Sequence, residues 1–167
     1  MEQFQFPFQQ SLKNQLTAQM QQVVTAAEAA TEQAYAPYSR FKVGAAVLLE
    51  DGKILTGANH ENASFPAGIC AERAALATVN MHEEHPKVKA IAVTYKGEEA
   101  NETPLSPCGI CRQTILEVQQ WQGSPIAVYM CSPNGNIIYV EDASSLLPFY
   151  FGSKALAEAT PPVNSPF

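Results

Sequence analysis

The chain has 167 residues, 46% of them apolar and 16% charged, the composition of one ordinary folded domain rather than of a disordered or fibrous chain. Its net charge of −6 repels phosphates on average and argues against a nucleic-acid partner, and its longest uninterrupted apolar run, Val43–Leu49, is far short of the ~20 residues a membrane span needs. Residues 1–10 carry neither the basic cluster nor the apolar stretch of a secretory signal, so the expectation is a cytoplasmic protein with reduced cysteines at Cys70, Cys108, Cys111 and Cys131.

The apolar positions Leu12, Leu16, Met20, Val23, Val24, Ala27 and Ala34 form a helical stripe. Ser11 is the expected cap of that helix, and Pro37 sets its end near Tyr35 by disfavouring helix at Ala36. Phe41–Leu49 is almost wholly apolar and reads as a strand covered on both faces. Asp51-Gly52 is a hairpin signal, because glycine supplies positive φ without steric cost, and Ile54–Ala58 returns as the second strand.

A second helix is expected from near Cys70 to Val79, a buried strand at Val88–Tyr95, a polar loop over 96–107 and a third helix from Cys108 to Trp121. Ile126–Met130 and Ile137–Val140 are the last strands, with a tight turn at Asn134-Gly135. Only six residues separate Met130 from Ile137, whereas a parallel crossover needs a dozen or more, so this pair is an antiparallel hairpin. A short helix near Ser153–Ala159 precedes a proline-rich end over 160–167 that is expected to be disordered. The order α-β-β-α-β-α-β-β-α predicts a single domain over 1–167, a mixed sheet between helical layers, with residues 1–10 as an N-terminal arm.

Two short segments carry the chemistry: Cys70-Ala71-Glu72-Arg73 and Pro107-Cys108-Gly109-Ile110-Cys111-Arg112. A C-x-x-C at a helix start places two thiolates about one turn apart, a clamp for a borderline cation such as Zn²⁺. A third thiolate from Cys70 would leave one tetrahedral position open, as in a catalytic rather than a closed structural site, and zinc there would lower the pKa of a water towards neutrality. Glu72 stands two residues from Cys70, close enough to exchange a proton with such a water without binding the metal. Three thiolates over-neutralise Zn²⁺; Arg73 and the helix N-termini near Cys70 and Cys108 are the candidates to offset the excess.

A ligand followed two residues later by Glu, then P-C-x-x-C, is the signature of zinc nucleobase deaminases. With Cys in the first ligand position, the runs CAERAAL (70–76) and SPCGICRQ (106–113) resemble the small homotetrameric cytidine deaminases, and AYAPYSRFKVGAAVL (34–48), NHENAS (59–64) and LLPFYFG (146–152) agree in order and spacing. The resemblance covers about residues 12–155. It implies a three-layer α/β/α fold around a five-stranded mixed sheet, one Zn²⁺ per subunit, and hydrolytic deamination of cytidine and 2′-deoxycytidine in pyrimidine salvage.

By the same resemblance, Cys70, Cys108 and Cys111 match the zinc ligands and Glu72 the proton shuttle. Asn59 and Glu61 match the pair that holds the ribose 3′-hydroxyl, Phe41 the aromatic packed on the pyrimidine, and Ala71 a further substrate contact. Arg73 matches an arginine bonded to the cysteine sulfurs, and Phe151 an aromatic that reaches a neighbouring subunit's site. The implied assembly is a homotetramer with sites at subunit interfaces and a small nucleoside as ligand, without nucleic acid or membrane. Phe65-Pro66-Ala67 departs from the family's usual tyrosine followed by small residues, which puts the wall near the sugar in question.

Other residues invite plainer readings. Cys131 is expected to be a small buried side chain, and His82, His85, Glu98, Glu99 and Glu102 to be solvated. His60 is read as part of an alternating strand, pointing away from Asn59 and Glu61. Phe4, Phe6 and Phe8 alternate as a strand would and equally suit an N-terminal arm that patches an apolar surface. The competing functions are deamination of another aminopyrimidine such as blasticidin S, which the presence of both Asn59 and Glu61 disfavours, nucleic-acid editing, which the acidic charge and terminal hairpin disfavour, and a zinc interaction module, which would leave Glu72 idle.

Overall fold

The computed structural model of the protein describes residues 3, 5–81, 86–96, 102–152 and 155–156. Its centre is a sheet ordered β1-β6-β5-β4-β2-β3, built from β1 (Gln9–Leu12), β2 (Lys42–Leu49), β3 (Ile54–Ala58), β4 (Val88–Lys96), β5 (Ala127–Cys131) and β6 (Asn136–Val140). Only β4 and β5 run parallel; the other neighbours are antiparallel, including the β5–β6 hairpin expected from its short connection. Gly52 and Gly135, at φ 87° and 89°, make the two tight turns that Asp51-Gly52 and Asn134-Gly135 announce.

The helices α1 (Ala18–Ala30), α2 (Ala71–Leu76) and α3 (Gly109–Gln122) complete three layers. Along β2, side chains alternate between two cores. Ala45, Val47 and Leu49 pack with Ala71, Ala75 and Leu76 of α2 and Ile115 and Val118 of α3, while Ala46 and Leu48 pack with Met20, Val23, Val24 and Ala27 of α1. This is why the strand reads as a continuous apolar run: both of its faces are covered. Among the described residues no helix is long and apolar enough to cross a membrane.

Two sequence expectations need correction at the N-terminal end. The sheet has six strands, not five, because Gln9–Leu12 pairs with β6, Gln9 opposite Tyr139 and Leu12 opposite Asn136. Residues 9 and 10 therefore belong to the sheet rather than to a free arm. The first helix starts at Ala18, with Thr17 rather than Ser11 as its cap; Thr17 Oγ1 accepts from the Met20 amide at 3.3 Å. Leu12 and Leu16 continue the apolar period by coincidence: Leu12 pairs with Asn136 of β6, and Leu16 closes the 3-10 turn Lys13–Gln15 by donating its amide to the Lys13 carbonyl. Replacing Thr17 by Ala should cost about 1 kcal/mol, a fall of about 2–4 °C in Tm, whereas Ser11→Ala should leave the helix start unaffected. Thermal and urea denaturation of the two variants check this.

Smaller differences follow from packing. Helix α1 gives way at Thr31–Gln33 to a 3-10 turn, and α2 ends at Leu76 although Val79 still joins the core. His82, His85, Glu98, Glu99, Phe4 and the proline-rich end 160–167 lie outside the described residues, as does most of the expected helix near Ser153–Ala159.

Candidate active site

Helices α2 and α3 lie on the same face of the sheet, and each begins with a cysteine at its N-cap: Cys70 for α2 and Cys108 for α3. One turn into α3, Cys111 faces back towards them. The Sγ atoms of Cys70 and Cys108 are 3.9 Å apart, those of Cys108 and Cys111 3.5 Å, and all three lie within 4.8 Å of one another. Thiolates at the usual zinc–sulfur distance of about 2.3 Å stand about 3.8 Å apart along a tetrahedral edge. The three sulfurs thus fit a zinc ion by spacing and chemistry, and the sequence expectation for this cluster coincides with the geometry.

Burial sets the acid–base character of the group. Cys111 is fully buried, and burial, reinforced by the Glu72 charge and the Cys70 thiol, pushes its thiol well above the usual range. Cys70 moves upward for the same leading reason. At Cys108 burial acts in that direction too, but the Cys111 amide, the thiols of Cys111 and Cys70 and the Ile110 amide outweigh it and hold its pKa below the ordinary thiol value. A cation with thiolate affinity would relieve the desolvation that now disfavours charge at Cys70 and Cys111.

Glu72, on the first turn of α2, is 4% exposed, and its pKa is raised, chiefly by that burial, against the opposing pull of its own amide and the Cys111 thiol. A carboxyl raised in this way suits alternate holding and release of a proton. It borders a cavity of about 630 Å³ whose wall also includes Phe41, Asn59, Glu61, Cys70, Ala71 and Cys108. Six of the sequence-predicted residues therefore share one cavity with Glu72, with Cys111 beneath them.

The segment 59–61 is fixed by main-chain bonds on both sides: Tyr35 exchanges with Asn59 and Glu61, and His60 exchanges both of its bonds with Ile69. That pairing also brings the chain to Cys70. Because β3 ends at Ala58, His60 sits in isolated bridges rather than in the alternating strand expected for it, and it lines the same cavity as Asn59 and Glu61. Asn59 Oδ1 accepts from the Val43 amide at 2.7 Å and its Nδ2 donates to the Phe41 carbonyl at 3.0 Å, so this side chain holds the start of β2 in place. Among the described residues its second Nδ2 N–H makes no further hydrogen bond. Glu61 Oε2 accepts from the amides of Tyr38 and Ser39 at 2.9 and 3.2 Å, and the Ser39 hydroxyl and these amides hold its pKa below the usual carboxylate range. A carboxylate is thereby held at the cavity wall. Phe41 stacks on Tyr95 with ring centroids 5.1 Å apart, which steadies its ring at the cavity wall.

Two residues fall elsewhere. Arg73 lies on α2, half-buried, and among the described residues its guanidinium has no hydrogen bond to the cysteine sulfurs. Phe151 is 62% exposed, its carbonyl held by Gln113 Nε2 at 2.7 Å, and it does not line this chain's own cavity. Cys131, on β5, is buried apart from the cluster, its thiol pushed up to about 12 mainly by burial. Sequence reasoning missed Tyr38 and the full part of Phe65, which meet edge to face at 5.9 Å and form one wall of the cavity. The only local signal was two aromatics in otherwise polar loops.

Residues 17–122 match the family model described as the cytidine and deoxycytidylate deaminase zinc-binding region. A cytidine deaminase of Halalkalibacterium halodurans is 41% identical over 131 residues, 78% of this chain and 92% of the relative. One from Sporosarcina psychrophila is 38% identical over 84% of this chain and 96% of its own. The crystal structure of cytidine deaminase from Burkholderia pseudomallei superposes with a TM-score of 0.68 at 38% identity, covering 81% of this chain and all of that one. That of Mycobacterium tuberculosis gives 0.60 at 34% identity, over 80% and 97%.

Proposed function

Because the chain belongs to the cytidine and deoxycytidylate deaminase family, we propose that it catalyses zinc-dependent hydrolytic deamination of cytidine and 2′-deoxycytidine, releasing ammonia and leaving uridine and deoxyuridine for pyrimidine salvage in the cytoplasm. The observation that carries this reading is a carboxyl, Glu72, buried at the floor of an open cavity beside three clustered thiols.

Cys70, Cys108 and Cys111 would hold the zinc, one per chain, and zinc held by them supplies Lewis acidity that makes water a competent nucleophile near neutral pH. Glu72 performs the proton transfers. It takes one proton from the attacking water and delivers it to N3 as the new C–O bond forms at C4. It then takes the proton of the C4 hydroxyl and passes it to the 4-amino group, which leaves as ammonia. Water and cytidine are thereby converted to uridine and ammonia with nothing left over. The raised pKa of Glu72 serves both directions of transfer.

Phe41, braced by Tyr95, packs on the pyrimidine, and Ala71, fully buried at the start of α2, bounds the ring's position. The remaining N–H of Asn59 and Oε1 of Glu61 take the ribose 3′-hydroxyl as donor and acceptor. Phe151, exposed and tethered to α3, would complete a neighbour's cavity in a homotetramer. The acidic chain favours a free nucleoside over a nucleic acid.

The test is loss of ultraviolet absorbance on incubation of the zinc-loaded protein with cytidine, deoxycytidine, cytosine, CMP and blasticidin S. Turnover of the two nucleosides supports the reading, and its absence overturns it. Cytosine brings no ribose to Asn59 and Glu61, and an unpaired polar group costs ~1–3 kcal/mol, so kcat/KM for the free base should be at least about 10-fold lower. Equal efficiency would show that these residues do not hold a sugar.

A further inference from the structure

The residue after the last thiol, Arg112, makes no bond to sulfur among the described residues and does not line the cavity, yet each of its three guanidinium nitrogens donates a hydrogen bond. Nε donates to the Pro107 carbonyl at 2.8 Å, Nη2 to the Ser106 hydroxyl at 2.8 Å, and Nη1 to the Leu146 carbonyl at 3.2 Å. Its own amide closes the first turn of α3 on the Cys108 carbonyl at 2.9 Å. We propose that Arg112 is a positioning residue for the metal cluster: its guanidinium fixes the Ser106–Pro107 main chain against α3 and so sets where Cys108 Sγ stands relative to Cys111 and Cys70.

Chemistry explains why an arginine is needed there. Pro107 has no N–H and is buried, so its carbonyl is its only polar backbone group and must find a partner inside the protein. The Pro107 carbonyl belongs to the peptide unit that leads into Cys108, so anchoring it restrains the backbone from which that thiol hangs. The guanidinium is a rigid planar fork with several donors in set directions, which lets it satisfy three acceptors from two separate stretches of chain at once. A lysine offers one point of charge and cannot span all three. The same loop supplies Leu105 and Ser106 to the cavity wall, so one side chain orders both a ligand and part of the substrate enclosure.

The third arm adds a connection. Leu146 opens the segment that runs to Phe151, and Gln113, beside Arg112 on α3, holds the Phe151 carbonyl at 2.7 Å. Consecutive residues of the ligand helix thus hold both the loop that leads into Cys108 and the exposed Phe151 segment.

The proposal rests on the deaminase reading for its activity arm alone; its metal arm stands without it. Arg112→Gln, Arg112→Lys and Ser106→Ala would be purified, matched for folding by circular dichroism, and titrated with zinc against a chromophoric chelator. Partners that orient metal ligands typically contribute 10–100-fold in affinity or activity, and Arg112→Gln should lose zinc affinity in that range, with kcat falling alongside. Arg112→Lys should lie between Gln and the unmodified protein, and Ser106→Ala, which removes one bond of three, should lose less than Gln.

In the cobalt-substituted protein, the thiolate-to-metal charge-transfer band of Arg112→Gln should shift, and millimolar guanidinium should move it back. If Arg112→Gln does not fold, Arg112→Lys and Ser106→Ala carry the same graded expectation. Unmodified zinc affinity with an unshifted cobalt band in the folded variants would overturn the proposal. An unmodified protein that deaminates nothing, with the zinc losses intact, would overturn the functional reading while leaving Arg112 in its role.

Discussion

Glu72→Gln is expected to keep one zinc per chain and to lose ~10²–10⁴-fold in kcat, the range for removal of a general acid–base group. The change is nearly isosteric, so the buried site at the head of α2 keeps its packing, and none of the three clustered thiols is touched. What disappears is the ability to accept a proton from water and return it to the base. A loss of 10³-fold corresponds to about 4 kcal/mol of transition-state stabilisation. KM should change far less than kcat, because the ring and ribose contacts assigned to Phe41, Asn59 and Glu61 remain. Metal content by elemental analysis and kcat by absorbance decide the matter. Near-normal turnover in a zinc-replete variant would falsify the role given to Glu72.

Adding one methyl group at Gly57 should be nearly as damaging, through stability. A Cβ there would lie 2.3 Å from the Ala75 nitrogen, 2.7 Å from the Ala71 carbonyl oxygen and 2.8 Å from the Ala74 carbonyl carbon, all main chain of α2. No side chain can swing aside, so the helix itself has to move off β3. Overpacking usually costs about 1–3 kcal/mol, and a clash with rigid backbone belongs at or above the upper end, a fall in Tm of roughly 10 °C. Because α2 carries Glu72 and is capped by Cys70, activity and zinc affinity should drop together with stability. Gly109→Ala is the control: nothing lies within 4 Å of its Cβ at the start of α3, and Tm should hold or rise slightly. Gly57→Ala with unchanged Tm would show that α2 is not seated on β3 as described.

How much of this was legible in the sequence follows the range of the interaction involved. The β2–β3 and β5–β6 hairpins were readable because glycine at positive φ and a short connection act within a few residues. The thiol pair on α3 was readable because one helical turn sets its spacing. The sixth strand was not, since Gln9 and Tyr139 meet only when the sheet closes, and neither segment announces the other. The start of α1 was misplaced for the same reason: an apolar period cannot distinguish Leu12 in a strand from Leu12 on a helix.

By itself, then, the sequence determined the two hairpins, the chemical type of the cluster and the carboxyl that accompanies it, because ligand identity and near-neighbour spacing are properties of the chain. Only the tertiary structure decided the rest. It brought Cys70 to 3.9 Å from Cys108 across 38 residues, tied Asn59 to Phe41 and Val43, spread Arg112 over Ser106, Pro107 and Leu146, and pressed α2 onto Gly57. Each of these depends on two segments being held by the packing of the same sheet, and contacts of that range are specified by the whole core rather than by any motif within it.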